Sequence, residues 1–176
     1  MRKYIEDVIA LFKITDTQGN DIDPQSLQLE KKEGYYYLGA EKELIIGSDA
    51  SAFESLSHSI VFQNFIFKEA IILEALSNSR FSFYNCTFKQ DFRMSQIVFN
   101  DDVVIHKCHF EGVVVFHNVR FKKIFQFTYC TFSKEEDCFN IVCEYFFNSE
   151  GSRFKNKDSL KGIKLDCSSH LKRLLS

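Results

Sequence analysis

Phe88, Phe99, Phe110, Phe121 and Phe132 fall at a strict spacing of eleven residues, and the same count continues to Cys143 and Phe154. The units run FSFYNCTFKQD from 81, FRMSQIVFNDD from 92, VVIHKCHFEGV from 103, VVFHNVRFKKI from 114 and FQFTYCTFSKE from 125. Each splits into a five and a six around a large apolar centre: Phe83, Phe88, Met94, Phe99, Ile105, Phe110, Phe116, Phe121, Phe127, Phe132. Two residues before each centre stands a second apolar or small residue: Phe81, Cys86, Phe92, Ile97, Val103, Cys108, Val114, Val119, Phe125, Cys130. Two inward residues separated by one outward residue is the signature of a short strand. The polar residues between them suit solvent-facing corners.

A coil of eleven residues encloses too little space for two buried Phe and their partners, so two units must make one coil of four short sides. Cys86, Cys108 and Cys130 recur at the doubled spacing, with Ile97, Val119 and Ile141 in antiphase. Equivalent positions then stack about 4.8 Å apart, as strands in any sheet do, and some four and a half coils make a rod roughly 20 Å long. Composition agrees. Twenty Phe against 7 Gly, 1 Pro and no Trp argue against a sandwich or barrel built on Gly/Pro hairpins. The expected core comprises Phe83, Cys86, Phe88, Phe99, Ile105, Cys108, Phe110, Phe116, Phe121, Phe127, Cys130 and Phe132.

The pattern resembles the eleven-residue, Phe-rich variant of the pentapeptide-repeat family, whose small residue two before a central Leu or Phe matches Cys86-Thr-Phe88, Cys108-His-Phe110 and Cys130-Thr-Phe132. The resemblance covers roughly residues 60 to 155, the units Ile60-Val-Phe62, Phe65-Ile-Phe67 and Ile71-Ile-Leu73 joining less regularly. It implies an all-β fold, a right-handed quadrilateral β-helix with short helical or irregular caps. Some members mimic B-form DNA and bind type II topoisomerases such as gyrase, which requires a strongly negative rod. Residues 60 to 152 carry 9 basic and 11 acidic side chains, and Lys122-Lys123 interrupts any acidic stripe.

Three segments are expected: an N-terminal cap over 1–50, the solenoid over 51–157 and a basic tail or cap over 158–176. Tyr4, Ile5, Val8, Ile9 and Phe12 mark one face of a short helix. Tyr35 to Leu38 and Leu44 to Ile46 read as two strands. The repeat is expected to decay after Phe132, because Glu136, Cys138 and Ser149 fall in core slots. From Arg153 onward seven Lys or Arg face only Asp158 and Asp166, and Leu160, Ile163, Leu165, Leu171, Leu174 and Leu175 would cap the rod or bind a second copy.

No site for chemistry emerges. The Cys column reads as packing, since a dry interior disfavours thiolate and metal ligation. His106 and His109 point outward on adjacent faces around Lys107 while Cys108 points in, so they do not converge as metal ligands must. Asp101-Asp102 and Glu135-Glu136-Asp137 are solvated corner runs. No catalytic residue, cofactor or metal is therefore expected. Val104, Val113, Val115 and Ile124 occupy outward or corner positions and form a candidate interaction patch.

The expected role is a non-catalytic protein-binding or scaffold rod of unknown partner, with the topoisomerase-binding DNA mimic as the alternative. A homodimer through a solenoid end fits the fold. Direct nucleic-acid binding is not expected at a net charge of −2, and peripheral membrane contact through the basic tail is a further alternative. The first apolar stretch, Val8 to Phe12, lacks a basic-then-apolar signal pattern. With six Cys read as reduced thiols, a cytoplasmic location is expected.

Overall fold

A chain that alternates in-out-in and then breaks must turn every few residues, and here the turns close into coils that stack. The computed structural model describes residues 2–32, 35–48, 51–54, 59–74, 81–156 and 158–166 and shows a β-solenoid of about five turns built from parallel strands. The first side stacks the start of Ile60–Phe67, then Phe81–Tyr84, Val103–His106, Ile124–Thr128 and Phe146–Asn148. The second stacks the end of Ile60–Phe67, Thr87–Phe88, His109–Phe110 and Thr131–Phe132, closing with a bridge from Thr131 to Arg153. The third holds Ile71–Glu74, Phe92–Ser95 and the starts of Val114–Phe121 and Glu136–Cys143. The ends of those two long strands, with Val98–Phe99 before and Ile163–Leu165 after, make the fourth.

The register confirms the doubled unit. Val103 pairs with Phe125, Phe110 with Phe132 and Val114 with Glu136. The first full coil is one residue shorter, pairing Ile60 with Phe81 and Ile71 with Phe92, which is why its units align less regularly. The two strands expected over residues 35–46 are one, Tyr35–Ile46, which already stacks in parallel on Ile60–Phe67. A register shift between Gly39 and Leu44 carries it around the first corner.

Within each eleven-residue unit the corner between the longer and the shorter side adopts the left-handed conformation. Asn85, Gln96, Lys107, Asn118, Tyr129 and Asn140 all have φ between 52° and 55°. Such a φ costs an L-residue on the order of 1 kcal/mol, least for Asn. The asparagines add hydrogen bonds between coils, Asn85 Nδ2 to Asn64 Oδ1 at 2.7 Å and Asn140 Nδ2 to Asn118 Oδ1 at 2.8 Å. Gly112 has a different reason: a Cβ there would run into the backbone carbonyl of Gln90 on the coil before.

Inside, the rings form ladders. Phe67, Phe88, Phe110, Phe132 and Phe154 stack in series at centroid separations of 4.8, 4.7, 5.4 and 5.1 Å. All twelve expected core residues are buried, and of the 20 Phe only Phe139, Phe146, Phe147 and Phe154 are not. Cys86, Cys108 and Cys130 donate their thiols to the carbonyls of Tyr84, His106 and Thr128 at 3.3, 3.5 and 3.4 Å. Ser152 takes the next place in the same column. Its hydroxyl donates to the Phe127 carbonyl at 2.6 Å and accepts the Cys130 N–H at 3.0 Å. The slot selects a small side chain able to donate a hydrogen bond, which narrows the plain packing role expected for it.

Helix Arg2–Phe12 closes the N-terminal end, burying Val8 and Phe12 and packing Tyr4, Ile5 and Ile9 on the core. Strand Leu27–Lys32 runs antiparallel along Tyr35–Ile46 as the outermost strand there. At the other end the repeat does not stop at Phe132. Glu136 enters the inward column beneath Val114 and is 2% exposed. Its carboxylate accepts the backbone N–H groups of Lys155 (3.0 Å) and Asn156 (3.0 Å) and the Ser159 hydroxyl (3.3 Å). A buried carboxylate persists only with such partners, and this one holds the last loop against the coil. Lys157, Leu171, Lys172, Arg173, Leu174 and Leu175, to which the tail reading appealed, lie outside the described residues.

Candidate functional site: the outer surface of the last coil

The solenoid alternation that buries the Phe ladders sends every intervening residue outward, so any site must be built from surface columns. The histidines show how these columns are used. His106 Nδ1 lies 2.8 Å from Thr128 Oγ1, and His109 Nδ1 lies 2.8 Å from Thr131 Oγ1. Each bond joins one coil to the next, on the first and second sides respectively. His106 also packs its ring between Tyr84 and Tyr129, at 5.7 and 5.6 Å. Burial, and then Lys107, hold its pKa below the usual value for histidine. His117 belongs to the third side and pairs with Asp137 at 2.8 Å. The three imidazoles thus serve separate interlayer contacts.

The carboxylate runs are divided in the same way. Asp101 is buried, so the solvated reading of its run fails there; it meets Lys123 Nζ at 2.5 Å, while Asp102 accepts the Ile124 N–H at 3.1 Å. Of the run 135–137, Glu135 is exposed, Glu136 is buried in the cap and Asp137 binds His117. The solvated reading of that run therefore fails at Glu136, whose place in the core column turns it inward. Lys89–Glu111 at 2.5 Å and Arg120–Glu144 at 2.7 Å add two more bonds between coils. Asp91 accepts the Val113 N–H and pairs with Arg93, contacts that hold its carboxyl below the usual range.

Four thiols are suppressed as nucleophiles. Burial drives the Cys108 pKa well up; Cys130 rises through its contact with Cys108 and through burial. Burial, joined by Glu136 and Asp137, pushes Cys138 up to about 12, and burial alone takes Cys143 to about 12. Among the described residues, no three His, Cys, Asp or Glu side chains gather as metal ligands would.

The four residues of the candidate patch do not come together. Val104 and Ile124 belong to the first side, where Val104 pairs with Gln126 and Ile124 stands two residues before Gln126 on its strand, whereas Val113 and Val115 lie at the start of the third. All four are half-buried. Ile124 alone joins a larger feature, through its register with Phe146.

That feature is a band of exposed aromatics on one coil. Phe139 is 63% exposed, Tyr145 49% and Phe146 43%. They bracket the short fourth side, where Val142 faces out between them. Phe139 occupies the outward column of His117 and stands edge-on to its ring at 6.2 Å. The signal was present in the sequence. Counting 22 on from His117 and Ile124 lands on Phe139 and Phe146, so these two Phe sit where the repeat places solvent-facing residues.

Comparison with known proteins finds no match to the chain among family models, curated sequences or solved structures. Among the described residues no helix is long and apolar enough to cross a membrane.

Proposed function

We propose that this chain is a non-catalytic, protein-binding rod of the pentapeptide-repeat type, working in the cytoplasm through the aromatic band of its last coil. The observation that carries the reading is the exposure of Phe139, Tyr145 and Phe146 in a protein that buries 16 of its 20 phenylalanines. Exposed large apolar side chains mark contact sites and aromatic anchors dominate binding energy; Tyr145 and Phe146 adjoin on one corner, and Phe139 stands across the short fourth side. A non-catalytic role is supported by His106, His109, His117, Asp101, Glu111 and Glu144, which are engaged in bonds between coils. A reducing compartment is supported by the free thiols of the five cysteines among the described residues, Cys86, Cys108, Cys130, Cys138 and Cys143.

The DNA-mimic alternative calls for an uninterrupted acidic stripe. Here Glu111, Asp101 and Glu144 each face a Lys or Arg on a neighbouring coil, so the observations favour a protein partner recognised through apolar contact.

The test is affinity capture from lysate with the wild-type chain and with Phe139→Ser/Tyr145→Ser/Phe146→Ser. The expected result is a stoichiometric protein held by the wild type and lost by the triple variant, with unchanged circular dichroism and unfolding midpoint. Equal capture by both proteins would sink the assignment of the band.

A further inference from the structure

We propose that the second side of the rod is a further contact surface, one that holds an extended acidic segment of a protein partner along its length. It lies across the rod from the fourth side, which the aromatic band brackets. It therefore adds a site to the binding-rod reading and needs no part of that band.

On the third and fourth sides the surface matches charge against charge. Arg93 meets Asp91, Arg120 meets Glu144 and Lys123 meets Asp101. The second side is built differently. Its outward column runs Thr87, His109, Thr131 and then Arg153, one residue per coil. The rim toward the third side carries Lys68, Lys89, Glu111, Ser133 and Lys155, each following the inward Phe of its coil. Lys107 stands on the opposite rim, at a left-handed corner. Lys89 meets the Glu111 carboxylate at 2.5 Å. Lys68, Lys107, Arg153 and Lys155 are exposed and have no acidic partner among the described residues. The chain's net charge of −2 conceals this one-sided surplus. Its effect is felt locally: after burial, the charge on Lys107 is what holds the His106 pKa down.

The rims and Arg153 frame a floor of Thr87, His109 and Thr131, all half-buried. Equivalent positions on successive coils are about 4.8 Å apart, so the rim from Lys68 to Lys155 runs about 19 Å. A peptide extended along it advances about 3.3 Å per residue and spans it with about six residues, every second side chain directed at the rod. A basic strip of this kind draws in opposite charge and sets its register.

The acids on the rim select among polyanions. A nucleic acid carries an unbroken line of phosphates, which Glu111 in mid-row and Glu69 beside Lys68 would repel. A peptide can set a neutral residue opposite Glu111 and carboxylates opposite Lys68, Arg153 and Lys155. The occupant that fits is an acidic segment with a gap in its charge.

Fluorescence anisotropy on the full chain tests this, with a labelled twelve-residue Asp/Glu peptide, an Asn/Gln peptide of the same length and an oligothymidylate of equal length. The acidic peptide should bind, and its affinity should fall roughly tenfold or more from about 0.05 M to about 0.5 M NaCl as the charges are screened. Lys68→Glu combined with Arg153→Glu should weaken binding roughly tenfold or more. Lys122→Glu combined with Lys164→Glu makes the same change in net charge on the fourth side and should have little effect. Lys107→Gln introduces a residue type the fold already carries at the equivalent corner, Gln96, and should weaken binding about threefold. Glu111→Gln frees Lys89 and should tighten it. Circular dichroism and unfolding midpoint confirm that each variant folds. No binding of the acidic peptide at low salt overturns the proposal, as does equal binding of the Asn/Gln peptide. Equal loss in the two double variants, or tighter binding of the oligothymidylate than of the acidic peptide, overturns it too. The triple variant of the aromatic band should bind the peptide as the wild type does, so the two surfaces are read separately.

Discussion

Phe110→Ala is the most direct probe of the ladder. The ring is fully buried in mid-rod, stacked at 4.7 Å on Phe88 and 5.4 Å on Phe132, with Phe92 and Phe127 at 5.4 and 5.7 Å. Coils above and below are held in register by backbone hydrogen bonds, Glu111 N–H to the Phe88 carbonyl and Ser133 N–H to the Phe110 carbonyl. The walls therefore cannot close on the vacancy as a loosely packed helix would. Truncation of a buried Phe costs about 3–5 kcal/mol, rising with the cavity left behind. A site this constrained should fall near the upper part of that range, about 4 kcal/mol. Phe110→Leu fills most of the space and should cost only about 1.5 kcal/mol. Phe139→Ala, taken from the exposed band, should stay within about 0.5 kcal/mol of wild type. Urea unfolding followed by far-ultraviolet circular dichroism measures all three, the midpoint moving at constant slope if the exposed area is unchanged. Stability in a linear stack passes between neighbouring coils, so the Ala variant should also broaden the transition as its halves uncouple. A cost below about 1.5 kcal/mol for Phe110→Ala, or one matched by Phe139→Ala, would refute the ladder as the source of stability.

Glu136→Ala leaves the N–H groups of Lys155 and Asn156 without their carboxylate and should cost roughly 2–3 kcal/mol, with hydrogen exchange accelerating first over 155–159. Raised pKa values at Cys108, Cys130, Cys138 and Cys143 mean little thiolate there at pH 8, and Cys86 is buried, so a Cys167→Ser variant should not react with Ellman's reagent when native and should titrate all five remaining thiols in denaturant; prompt native labelling would contradict the buried column. His106 binds a proton less readily folded than unfolded. Its contribution is therefore intact above the unfolded value of about 6.5 and is lost as pH falls through the lower folded value. Unfolding midpoints should drop across that window, and His106→Gln should flatten the drop. Asn140→Val removes the Asn118 hydrogen bond and forces a β-branched residue to φ near 53°, a loss of about 2 kcal/mol by thermal unfolding.

The coil was legible because its determinant is a spacing, and a spacing survives in one dimension. Phe88, Phe110 and Phe132 announce a stack whether or not anything is known of the corners between them. What the spacing hides is hydrogen bonding. The left-handed corners fall on Lys107 and Tyr129 as well as on Asn85 and Asn140, so no single residue type marked them. Ser152 carries no apolar signal, yet as a donor it is the equivalent of Cys130. Glu136 looked like decay of the repeat; its partners lie some twenty residues downstream, beyond the reach of periodicity. The patch reading went astray for a related reason. Val104 and Val115 are close in sequence yet face opposite ways across the rod, whereas Ile124 and Phe146 are distant in sequence and adjacent in space.

A repeat of this kind has no intrinsic reason to stop, since each coil offers the next the same backbone edge and the same apolar floor. Termination must come from side chains, and on the last coil they act unequally around the rod. On the third side Glu136 replaces an apolar floor with a carboxylate whose acceptors are filled by the loop that follows, so another strand there would have to displace satisfied hydrogen bonds. On the fourth side the floor stays apolar through Cys143 to Leu165, and the flank beside it carries Phe139, Tyr145 and Phe146. Growth is blocked where the carboxylate sits and left favourable where the leucine and aromatics sit. Such an end is suited to receiving another chain at a defined rotation about the rod axis, because among the described residues the arc at Leu165 exposes the most apolar surface. Moving the carboxylate tests that logic: Leu165→Glu should make the fourth side as unreceptive as the third, while Glu136→Leu should make the third side adhesive and drive concentration-dependent association beyond that of the wild type.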